Sequence, residues 1–72
     1  MKKTFALRDL DCASCALKME TAIAKLDGVR EVNINFLTQK MVLDAEDDQF
    51  DAVVREAIRV CKKVEPDCMI LV

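Results

Sequence analysis

The chain contains no histidine, tryptophan or tyrosine, and a single glycine and a single proline. Each shortage removes a class of function. Without histidine, any metal site must be built from sulfur and oxygen. Without tyrosine or tryptophan there is no aromatic platform on which bases stack. The charge is nearly balanced, 11 basic against 13 acidic residues for a net of −2, so there is no basic footprint for nucleic acid. One glycine leaves no material for a phosphate-cradling loop. No apolar run approaches the roughly 18–20 residues that cross a bilayer. The opening "MKKTFALRDLDC" begins with two lysines, as a secretory leader does. Its apolar run stops at Arg8 and Asp9, so a signal peptide is not expected.

What is present is a 72-residue chain, 53% hydrophobic, which reads as one small domain over residues 1–72. A chain of this size buries only about 60% of the surface its unfolded form exposes, and such domains often need a staple. The four cysteines, Cys12, Cys15, Cys61 and Cys68, raise that question. In a secreted protein they would suggest two disulfides. With no secretory signal and a Cys-x-x-Cys pair, a cytoplasmic thiol or metal role is the expectation.

The hydrophobic periods predict six elements. "TFALR" alternates as a strand, with Phe5 and Leu7 on one face. "SCALKMETAIAKL" predicts a helix with Cys15, Met19, Ala22 and Leu26 on one stripe and Ala16 and Ile23 beside it. Ser14 or Asp11 is positioned to cap its start, and Gly28 stands where a C-terminal cap belongs. "REVNINF" alternates strictly, "LTQ" is a turn, and "KMVLD" is its partner strand. From Phe50, the residues Val53, Val54, Ala57, Ile58 and Cys61 recur at helical spacing. "EPD" ends that helix, and "CMILV" is a closing strand. Strand, helix, strand, strand, helix, strand is the βαββαβ order of an α+β, ferredoxin-like sandwich: four antiparallel strands with two helices on one face.

On that scaffold Cys12 lies in the loop after the first strand and Cys15 in the first turn of the first helix. Residues three apart at a helix start point the same way, so the two sulfurs can meet on one ion. The helix N-terminus favours negative charge, which promotes the thiolate that binds metal or attacks a disulfide. Three chemistries fit: a redox dithiol, half of a closed zinc site, or an open metal-transfer site. A closed site would recruit Cys61 and Cys68, whose Cys-x6-Cys spacing is far from a zinc knuckle. Both fall on apolar faces and read first as small buried side chains. Cys61, near the loop after the second helix, is also a candidate third sulfur. Met19 and Met41 read as core. The acidic group Asp44, Glu46, Asp47, Asp48 and Asp51 reads as a solvated face that suits a helix start.

"LRDLDCASC", "LDGV" and the βαββαβ order together resemble the heavy-metal-associated domain. That module occurs in soluble copper chaperones and in the cytosolic N-terminal tails of metal-pumping P-type ATPases. The family loop usually reads Gly-Met-Thr-Cys-x-x-Cys; here Asp9, Leu10 and Asp11 take the first three places. The resemblance implies that Leu10 plugs the core beneath the loop. It also places Lys63 near the position where copper chaperones carry a charge-offsetting lysine. An Asp-Cys-x-x-Cys loop is similar to that of zinc, cadmium and lead exporters, and "KKVEPD" resembles their tail. The implied cargo is one heavy-metal ion, Zn(II), Cd(II) or Pb(II) before Cu(I), held by Cys12, Cys15 and Asp11. The implied partner is a metal-transporting ATPase, in the same chain or separate, or another metal-carrying domain. Two copies bridged by one ion are chemically accessible. The module itself is expected not to be an enzyme.

Overall fold

The computed structural model describes all residues 1–72. Its elements are β1 (Lys2–Arg8), α1 (Ala13–Ala24), β2 (Val29–Asn35), β3 (Lys40–Ala45), a single 3-10 turn (Asp47–Gln49), α2 (Phe50–Val64) and β4 (Met69–Leu71). The strands form one antiparallel sheet in the order β2-β3-β1-β4. Both helices cover one face, as expected of a ferredoxin-like sandwich.

Strand alternation decides which side chains meet the helices. Phe5 and Leu7 of β1, Met41, Leu43 and Ala45 of β3, and Ile70 of β4 point inward and are buried. In register, Phe5 faces Met41 and Leu7 faces Ile70. From the helical layer come Ala16, Met19 and Ile23 of α1, and Phe50, Val53, Ala57 and Cys61 of α2. The Phe5 and Phe50 rings stack across the layers with centroids 6.3 Å apart. The fifteen buried residues are all apolar or cysteine. No buried side-chain nitrogen or oxygen lacks a hydrogen-bond partner. This core is built by hydrophobic burial, with all four cysteines free and no disulfide across it.

Two expectations about α1 change. It starts at Ala13 with Cys12 at the N-cap, and no side chain caps it, neither Asp11 nor Ser14. It ends at Ala24, because the amides of Lys25 and Leu26 tighten onto the carbonyls of Ala22 and Ile23, at 3.3 and 3.0 Å. Gly28 therefore lies beyond the cap. Its φ of +91° turns the chain into β2 instead. The buried stripe is centred on Ala16, Met19 and Ile23, so Cys15 is left half-buried at its margin. β1 begins two residues before the predicted strand, since Lys2 and Lys3 pair with Asp44 and Leu43 of β3.

β2 is a sheet margin. Its outward Ile34 amide donates to the Glu20 carboxylate of α1 at 2.7 Å, which ties helix to strand. At the end of the molecule where β1 begins, the Met1 ammonium donates to the Ala45 carbonyl at 2.7 Å and pairs with Asp47 at 2.5 Å. β1 then runs toward the opposite end, where it meets the loop that carries the first cysteine.

Candidate metal centre

β1 ends at Arg8, and the chain reverses through Asp9, which takes the left-handed conformation at φ 62°. That region costs a non-glycine residue about 1–2 kcal/mol, with aspartate among the residues that tolerate it best. It explains how an aspartate occupies a place usually held by glycine. Leu10 then drops into the core at 2% exposure and anchors the loop from below, as the resemblance implied. Asp11 stands exposed on the rim. Cys12 is extended, with φ −132° and ψ 125°, and its carbonyl accepts the first helical bond, from Ala16 at 3.0 Å. Cys15 follows in the first turn. Both thiols are free and half-buried.

The two sulfurs sit in unequal surroundings. Cys12 Sγ lies 2.9 Å from the Ser14 hydroxyl. That hydroxyl and the backbone amides of the helix start, with the Cys15 thiol among the donors, draw the Cys12 thiol down to about 7. The Cys15 thiol donates to Glu65 Oε2 at 3.5 Å. The neighbouring Cys12, then partial burial, then the Glu65 carboxylate push it up to about 11. One thiol thus readily becomes thiolate at neutral pH, while the other holds its proton against two negative neighbours.

Glu65 was not anticipated. It lies 50 residues from Cys15 in sequence, at the C-cap of α2. "EPD" was legible only as a helix breaker. The available signal was topological: this fold sets the loop after α2 beside the loop after β1, so the first polar residue past α2 faces the dithiol.

The remaining expected residues separate into two groups. Cys61 and Cys68 are each 1% exposed, and the Cys61 thiol donates to the Cys68 carbonyl at 3.3 Å. Burial raises the Cys61 thiol and pushes Cys68 up to about 12. Their place in the core agrees with the simpler reading. Cys61 is not gathered with the loop as a third sulfur, because the inward stripe of α2 turns it toward β4. Lys63 is exposed in the last turn of α2, where its charge complements the helix C-terminus. Met19 and Met41 are fully buried. No three cysteine, aspartate or glutamate side chains are gathered closely enough to hold one ion, so Asp11 is not drawn in beside the two thiols.

Residues 4–63, which include the loop, α1 and α2 up to Lys63, match the family model described as the heavy-metal-associated domain. The chain belongs to the heavy-metal-associated domain family. It is 43% identical over 51 residues to a zinc/cadmium/lead-transporting P-type ATPase of Shigella sonnei, a match that covers 67% of this chain and 7% of the ATPase. It is 25% identical over 64 residues to the copper chaperone CopZ of Enterococcus hirae, covering 89% of this chain and 86% of CopZ. In three dimensions it superposes on a CopZ metallochaperone with a TM-score of 0.78 at 14% identity, over 99% of this chain and all of the other. The chain spans about 7% of the length of the ATPase relative. It is a heavy-metal-binding domain with relatives among both transporter tails and chaperones. No helix of this heavy-metal-associated domain is long and apolar enough to cross a membrane.

Proposed function

We propose that the domain carries one soft or borderline divalent ion, Zn(II), Cd(II) or Pb(II), between Cys12 and Cys15. It exchanges that ion with a metal-transporting P-type ATPase, as part of the same chain or as a separate partner. The observation that carries this reading is the carboxylate chemistry around the dithiol. Asp11 precedes Cys12 directly, and Glu65 Oε2 stands 3.5 Å from Cys15 Sγ. Cu(I) is satisfied by soft sulfur, whereas Zn(II) prefers about four ligands and accepts oxygen. Loading replaces the Cys15 proton with the ion. It also draws Asp11 or Glu65 inward to add a third ligand. A fourth position stays open to water or to a partner's cysteine, so the ion passes by ligand exchange without being set free. The same open position allows a second copy to share one ion.

The copper reading has its own support: the likeness to CopZ runs along 86% of that chaperone's length. The two readings part on the carboxylates. Zn(II) affinity of the reduced domain, measured by chelator competition, should fall tenfold or more, about 1.4 kcal/mol, in Asp11→Asn or Glu65→Gln. The loss should be larger in the double variant. Cu(I) affinity should not move. If Zn(II) affinity is unchanged in all three, the site is a two-thiolate one and the copper chaperone reading replaces this one.

A further inference from the structure

The turn between β2 and β3 reaches across to the metal loop through one residue. Gln39 is itself left-handed, at φ 57°. Its carbonyl accepts from the Leu7 amide at 2.7 Å. Its side-chain Oε1 accepts from the Leu10 amide at 3.0 Å, while Nε2 donates to the Leu10 carbonyl at 2.8 Å and to the Phe36 carbonyl at 2.9 Å. The side-chain amide therefore pairs with both polar groups of Leu10 as a neighbouring strand would. Leu10 lies directly between Asp9, which is left-handed, and the exposed Asp11, two residues before Cys12.

We propose that Gln39 is a positioning residue of the metal loop. It holds Leu10 so that Cys12 is presented to the ion before the ion arrives. This rests on the metal-carrying role proposed above. The physical argument is one of populations. Without the clamp, two part-buried backbone groups lose their partners, and the loop samples conformations in which Cys12 stands away from Cys15. Apparent affinity then falls in proportion to the fraction of molecules that remain competent. Only an amide satisfies both groups of Leu10. A glutamate at 39 can accept but not donate, and a methionine of similar length can do neither.

The test compares the natural chain with Gln39→Glu, Gln39→Met and, as a reference without thiols, Cys12→Ser/Cys15→Ser. Three quantities are measured: Zn(II) affinity by chelator competition, the metal-free thermal midpoint, and the hydrogen-exchange rate of the Leu10 amide. Both Gln39 variants should lose about fivefold or more in Zn(II) affinity while remaining folded, with faster Leu10 exchange. A lowered midpoint with unchanged affinity would make Gln39 a structural residue only and overturn the proposal. So would unchanged Leu10 exchange. A different failure is recognisable: if the natural chain binds Zn(II) no better than the double serine variant, the metal-carrying reading itself falls. Leu10 exchange in the Gln39 variants still reports whether the clamp exists.

Discussion

Cys12 and Cys15 have the same side chain and different proton affinities, about 7 and about 11. The donors at Cys12 stabilise a thiolate, and that charge, with Glu65 behind it, discourages a second one. Metal uptake must displace whatever protons remain. Below about pH 7 both thiols carry protons and loading releases two. Between about 7 and about 11 it releases one. Zn(II) affinity should therefore rise with pH, with a slope of about two decades per unit in the acid range, easing to about one above neutrality. Competition titrations from pH 5.5 to 8.5 check this, and a constant slope across pH 7 would contradict the unequal pair. The dithiol and its acidic neighbour were legible in the sequence because they are adjacent there. Glu65 was not, because its approach to Cys15 depends on how the helix ends pack.

At the scale of elements, periodicity reported nearly everything that strands and helices do, because burial on one face imposes a period of two or 3.6 residues. It misjudged the rotation of α1. The stripe through Cys15 and the stripe through Ala16 are one residue apart, and only packing against the sheet chooses between them. That choice has a functional result, since it keeps Cys15 at the margin of the core and within reach of an ion. Gln39 was equally hidden, as a polar turn residue whose partners belong to another segment. Gly28 is the position where local geometry is least forgiving. A side chain there would need φ near +91°, and its Cβ would collide with Gln49 Oε1 and press on Val53 Cγ2 at 3.2 Å. Gly28→Ala should lower stability by about 1–3 kcal/mol, read as a drop in the metal-free thermal midpoint with Zn(II) affinity little changed.

For the whole molecule, the decisive fact is that the core closes without the two thiols of the metal loop: Leu10 anchors the loop in it, and Cys15 packs only at its margin. The fifteen core residues include neither Cys12 nor Cys15. A strong chelator should leave the far-ultraviolet circular dichroism spectrum and the cooperative melt intact, whereas a structural zinc domain would unfold. Added Zn(II) should raise stability, and with it the midpoint, only by mass action, by about 2.7 kcal/mol at a hundredfold excess over the dissociation constant. Loss of secondary structure on chelation would show that the fold depends on its cargo.

Glu20 closes part of an exposed sheet edge. A bare amide on an outer strand is a template onto which another chain can zip its backbone. Here the Ile34 amide is already occupied by a carboxylate, and the opposite margin, β4, is three residues long. Edge-to-edge backbone pairing, which would seed a fibre, is thereby hindered at both margins of the sheet.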